Sequence, residues 1–202
     1  MEYIRSIITY DPGFSGNITP IGGATGMRAW LQGAGGAGHH RADVPGSGGG
    51  GGAYCYFETI IIDTEGDNEI AISVGNVAEF AAGGNTTISG ILNGTSFNVN
   101  AGGGYPGTTG ADGTGGIASG GTENINGNDA SGFVAAPVDE RAQGFGGLGA
   151  CKYRSLPQGD GFLGYADIPV ANMGAGGNGI LDADDPSLAN GEPGALFIEW
   201  LF

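Results

Sequence analysis

Three stretches of the chain carry the spacing G-x-G-x-x-G: Gly33-Ala34-Gly35-Gly36-Ala37-Gly38, Gly144-Phe145-Gly146-Gly147-Leu148-Gly149 and Gly174-Ala175-Gly176-Gly177-Asn178-Gly179. In a dinucleotide site this spacing closes a strand-to-helix turn and lays the pyrophosphate on the helix N-terminus, so the helix is as necessary as the glycines. After the first match His39-His40-Arg41-Ala42-Asp43-Val44-Pro45-Gly46 reads as a loop, and no βαβ unit can be drawn. One compositional habit explains all three matches. A phosphate-binding P-loop is excluded more directly, because the only lysine, Lys152, follows a cysteine and not a glycine.

His39 and His40 are the only histidines. Neighbours on an extended chain point to opposite sides, so the pair does not readily share a metal and reads as an exposed loop able to touch a ligand. Two acidic clusters, Asp63-Thr64-Glu65-Gly66-Asp67-Asn68-Glu69 and Asp182-Ala183-Asp184-Asp185, offer oxygens of the kind calcium takes, but neither fits the EF-hand loop. A hairpin turn explains the first, and a solvated loop before Pro186 explains the second. Gly110-Ala111-Asp112-Gly113 is a single copy of a calcium-binding nonapeptide pattern that needs several stacked copies. No G-x-S-x-G elbow occurs, no cation partner of either cysteine is identifiable, and no acidic pair is selected by spacing. The expectation is a structural or binding protein: not an enzyme, with no cofactor and no metal.

The elements that would position such a surface follow from composition. A chain of 202 residues fits one glycine-rich domain, residues 1–202, with residues 1–26 as an N-terminal attachment segment. Glycine supplies 46 residues, far above the usual share of about 7%, yet the hydrophobic fraction is 40% and apolar strands flank the glycine tracts, so the tracts are expected to fold. Six Lys and Arg against 21 Asp and Glu leave a net charge of -15, which repels phosphate backbones and excludes nucleic acid. Met1–Arg5 lack the pattern of a signal peptide and no apolar run approaches a membrane span, so synthesis in the cytoplasm without membrane insertion is expected. Cys55 and Cys151 read as free, buried thiols, with a disulfide left open because sequence does not supply their separation.

Strands are expected at Tyr3–Tyr10, Ile18–Ile21 (weakly), Met27–Gln32, Ala53–Asp63, Glu69–Val74, Thr86–Leu92, Ser96–Val99 and Ala195–Phe202. Ala53–Asp63 and Glu69–Val74 are expected to pair as a hairpin, and residues from about 100 to about 179 to be free of strands. Gly104, Gly107, Gly110, Gly113 and Gly116 fall on every third position, as do Gly46, Gly49 and Gly52. Polyproline II has three residues per turn, so this period leaves one edge of such a helix bare, and bare edges let backbones pair between neighbours. The fold expected is all-β: short antiparallel strands in a β-sandwich-like arrangement, combined with glycine-rich polyproline II tracts packed as a bundle, with almost no helix.

The order and spacing of Ala29-Trp30-Leu31-Gln32-Gly33-Ala34-Gly35-Gly36, Gly48-Gly49-Gly50-Gly51-Gly52-Ala53-Tyr54, Ile72-Ser73-Val74-Gly75, Gly94-Thr95-Ser96-Phe97 before Ala101-Gly102-Gly103-Gly104, and Glu192-Pro193-Gly194-Ala195-Leu196-Phe197-Ile198 resemble the glycine-rich domain of bacteriophage tail-fibre and tail-tip receptor-binding proteins. The resemblance runs from about Met27 to the end and departs at Asn76-Val77-Ala78, where more glycine is usual. It implies a virion protein, a tail-fibre tip or adhesin module that attaches to the host cell through a bacterial surface protein or glycan. Fibre, baseplate or capsid proteins are the implied virion partners, and a homo-oligomer is open. Aromatic and Arg side chains on glycine-flanked loops give contact area at modest entropic cost, which nominates Tyr105, Phe133, Phe145, Tyr153, Arg154, Phe162 and Tyr165 beside His39 and His40. The alternative is a capsid decoration or head-fibre protein without receptor contact. An ice-binding face is a weaker third reading, because Thr108-Thr109 is too short a repeat.

Overall fold

The computed structural model describes residues 6–39, 47–60, 68–131, 174, 176 and 190–202. Among them ten strands form two antiparallel sheets, and no helix occurs. β1 (Ser6–Tyr10), β3 (Gly26–Gln32), β4 (Tyr54–Ile60), β9 (Glu123–Ile125) and β10 (Ala195–Leu201) build the first sheet in the order β1-β10-β3-β4-β9. β2 (Ser15–Ile18), β5 (Ile70–Ser73), β6 (Thr86–Leu92), β7 (Thr95–Ala101) and β8 (Ala118–Ser119) build the second in the order β2-β5-β6-β7-β8.

The period of two along each strand decides what lies between the sheets. Met27, Ala29 and Leu31 of β3 and Leu196, Ile198 and Trp200 of β10 join Ile70, Ile72, Ile88, Leu92 and Val99 of the second sheet in one core, all of them buried. Cys55 of β4 belongs to the same core, and Phe57 stacks on Phe97 across the sheets at a centroid distance of 5.0 Å. Side chains of this size stabilise by about 1.5–3 kcal/mol each when fully buried.

Three expectations are corrected. β4 and β5 are not a hairpin: β4 pairs with β3 and β9, whereas β5 pairs with β2 and β6 in the other sheet. Alternation reports that one face of β5 is buried but not which strand lies beside it. The weak second strand sits at Ser15–Ile18 instead of Ile18–Ile21, clear of Pro20. The region expected to be free of strands contains β8 and β9, which are only 2 and 3 residues long and owe their conformation to the edges that β7 and β4 present. Gly120 (φ 80) turns the chain between them, so residues 118–125 carry it from one sheet to the other and close that side.

The glycine tracts leave the sheets at one common end, since Gln32 pairs with Tyr54 and Ala195, and Thr86 with Ala101. Their backbone bonds run between segments and recur every third residue. Gly33, Gly36 and His39 donate to the carbonyls of Ala53, Gly50 and Ser47; Ala34 and Ala37 donate to Gly84 and Ala81; Gly113 and Gly116 donate to Gly48 and Gly51. Consecutive N–H groups address different neighbours: Gly33 reaches Ala53, Ala34 reaches Gly84, and Gly35 reaches Glu192. A β-ladder would recur every second residue to a single partner strand. Close approach makes this possible. A Cβ on Gly50 would stand 1.9 Å from the Thr114 carbonyl oxygen, and one on Gly103 1.9 Å from that of Gly83.

Gly104, Gly107, Gly113 and Gly116 meet neighbouring backbone in the same way, but Gly110 is an exception, with nothing within 4 Å and φ +83. It turns the chain, and the carbonyls of Thr108, Thr114 and Ile117 or their partners link residues 102–108 to 111–117 around it. Thr86 locks the tracts to the sheets. Its buried hydroxyl donates to the Gln32 carbonyl at 2.6 Å and accepts the Gly75 N–H at 3.0 Å.

Candidate functional site

The far ends of these hydrogen-bonded segments converge on one face, remote from the sheets. Ala37 is the meeting point: its N–H donates to Ala81 at 3.0 Å and its carbonyl accepts from Gly107 at 2.9 Å, which brings residues 77–81 and 108–111 to the end of the first tract. His39 follows, bonded through its N–H to Ser47 at 2.8 Å, and Ala130 joins through Gly113 at 2.9 Å. The turns at residues 77–81 and 108–111 therefore lie at the end of the first tract, beside His39.

His39 was expected to be an exposed loop residue and is half-buried. The Ser47 bond and a 3.3 Å contact between its Nε2 and the Thr109 hydroxyl draw it against the end of the bundle, leaving a buried Nδ1 without a partner. Tyr105 is 54 % exposed, while its backbone is held on both sides: its N–H donates to Thr114 and its carbonyl accepts from Gly50, each at 2.8 Å. A large side chain on a fixed backbone loses little entropy on contact, which is what a recognition residue needs. His40, Phe133, Phe145, Tyr153, Arg154, Phe162 and Tyr165 lie outside the described residues.

Phe80, at the same end, was not among the expected residues. It is 55 % exposed and has φ 55, a left-handed conformation that a bulky side chain rarely adopts. Neighbouring bonds impose it, from Ala37 to Ala81 and from Gly84 to Asn76. Glu79-Phe80-Ala81 contains no glycine, so nothing local marks the turn. Glu79, Asp112 and Asp129 add acidic groups here, and Asp129 also accepts the Gly115 N–H at 2.8 Å. Arg28, the one positively charged residue among those described, lies far off on the first sheet.

Arg28 stands on the outer face of that sheet, its Nε 3.0 Å from Glu58 and its Nη1 3.5 Å from Glu199, while the Tyr56 hydroxyl donates to Glu58 at 2.7 Å. The Tyr56 bond and then Arg28 hold the Glu58 carboxyl below the ordinary glutamate range. Burial, followed by the adjacent Glu58, pushes Tyr56 up to about 12. The Cys55 thiol is free and buried, as expected, and it lies 3.1 Å from the Asn100 carbonyl; burial raises its pKa, so it is a packing group and a poor nucleophile. Cys151 lies outside the described residues.

Among the described residues no three His, Cys, Asp or Glu side chains are grouped to hold a metal ion, and no helix is long and apolar enough to cross a membrane. No family model matches the chain, and no curated protein matches it in sequence. What the geometry offers is a surface of hydrogen-bonded loops that carries exposed aromatic and acidic side chains.

Proposed function

We propose that the protein is a bacteriophage virion protein, the adhesin module of a tail-fibre tip, which attaches to the host through the converging loop ends. The three-residue recurrence of inter-segment bonds carries this reading: it is the repeat of polyproline II helices packed as a bundle, the arrangement found in the adhesins that the sequence resembles. In that reading Tyr105, Phe80 and His39 contact a bacterial surface protein or glycan, and the sheet end faces the other virion proteins. The polyproline II bundle makes slow amide exchange at Gly33, Ala34, Gly35 and Gly36 its own signature, since their N–H groups are shared among three neighbouring segments.

Adsorption competition tests the function. Purified protein added to cells of the bacterium that the phage infects should bind them and block phage adsorption, and Tyr105→Ala and Phe80→Gly should weaken both. Protein that neither binds nor blocks would sink the reading. The acidic surface also fits a capsid decoration or head-fibre protein, which predicts many copies per head; copy number by mass spectrometry of purified virions separates the two.

A further inference from the structure

The two sides of the sheet pair differ. On one, residues 118–125 cross between the sheets and close the side. On the other, β1 and β2 are the terminal strands of their sheets, and an open cleft of about 1050 Å³ lies between them. Its walls include Ile8, Ile18 and Ile91, its rim Asn17 and Glu69, and Trp200 also lines it. Trp200 is 1 % exposed, and its buried indole N–H has no acceptor among the described residues.

We propose that this cleft takes an extended peptide segment of a partner protein, apolar and basic in alternation, laid along β1 as an added strand. Three observations select that occupant. β1 is bonded to β10 alone among the described strands, so its free edge can pair with an incoming backbone. In a strand, every second side chain points to the same face, and the isoleucine walls receive aliphatic side chains there. Glu69, bonded by the Asn17 amide, places a carboxylate at the rim of a cleft that no described Lys or Arg lines, on a chain of net charge -15. A Lys or Arg on the segment answers that charge. A fatty acid would bring its own carboxylate against Glu69. A sugar would meet aliphatic walls where it needs hydrogen-bonding groups. This site is remote from the loop tips and stands whatever those tips bind.

The test follows the indole N–H signals of the full chain by 1H–15N NMR, with Trp30→Phe assigning the Trp200 signal. The probes are a short peptide alternating Val and Lys, its counterpart with Glu for Lys, maltotriose and decanoate. The Val/Lys peptide is expected to move the Trp200 signal, the others to leave it in place, and both Glu69→Gln and the exposed-site variant Ile91→Asn to weaken binding about tenfold. If Glu69→Gln does not fold, the parent protein reads the same charge through salt: binding of the Val/Lys peptide must weaken as salt rises. An unmoved Trp200 signal, equal binding of the acidic peptide, movement by maltotriose or decanoate instead, unchanged affinity in both variants, or binding indifferent to salt would each overturn the proposal.

Discussion

Between the sheets, Met27, Leu31, Ile88 and Trp200 fill space with side chains; beyond Gln32, a carbonyl oxygen occupies the place where Gly50 or Gly103 would carry a Cβ. The first region is held by burial of apolar area, which falls off gradually as atoms are removed. The second is held by backbone hydrogen bonds at full approach, where adding one methyl group displaces a neighbouring chain. The difference teaches that one chain can be tolerant in one layer and intolerant in the next. It also places the exposed side chains of Tyr105 and Phe80 on the stiffer layer.

The strongest challenge to this comparison is Gly50→Ala or Gly103→Ala. Each puts a Cβ 1.9 Å from a backbone oxygen, and each is expected to cost about 4 kcal/mol or more in urea unfolding, or to abolish folding. Gly22→Ala meets nothing within 4 Å and should stay within about 0.5 kcal/mol of the parent. If the two kinds of substitution behave alike, the tract layer is not close-packed. Ile88→Ala, in the sheet core, should fall between them, at about 2–4 kcal/mol with a cooperative transition retained.

Where the layers join, Thr86→Val removes the partner of both the Gln32 carbonyl and the Gly75 N–H and should cost about 1–3 kcal/mol. Thr86→Ser keeps the hydroxyl and should cost less; equal losses would mean that the methyl group matters and the bridge does not.

The smallest effects belong to the outer face of the first sheet. Tyr56 has a folded pKa raised from 10.0 to about 12, so its contribution is complete below pH 10 and is lost as pH rises towards 12. Glu58 is lowered from 4.5, so its contribution is complete above that value and is lost as pH falls through the folded pKa. Both groups are well exposed to solvent screening, which keeps the net effect under about 1 kcal/mol. Glu58→Gln should bring the tyrosinate absorbance of Tyr56 only part of the way back towards 10.0, because burial is the larger cause. A complete return would assign the shift to Glu58.

Strand positions were largely legible. Thr86–Leu92 and Met27–Gln32 are found as expected to within a residue, because each pairs β-branched or large apolar residues with a period of two. β8 and β9 were not, since Ala118-Ser119 and Glu123-Asn124-Ile125 have no such pattern and take their form from the strands beside them. Within the candidate site, Tyr105 could be named from its type and its glycine neighbours. Phe80 could not, since its left-handed φ is imposed by bonds made by Ala81 and Asn76.

By itself the sequence determined that the described part of this chain is all-β, that glycine serves as a building material, and that no nucleotide motif is complete. Those properties reside in periods, in composition and in the absence of a following helix, all of which are local. Only the tertiary structure decided that β4 and β5 belong to different sheets, that Gly110 turns the chain while Gly104, Gly107, Gly113 and Gly116 pack it, and that an open cleft separates β1 from β2. A residue's period records that it has a neighbour. Which neighbour it has depends on where chain segments far apart in sequence are brought together.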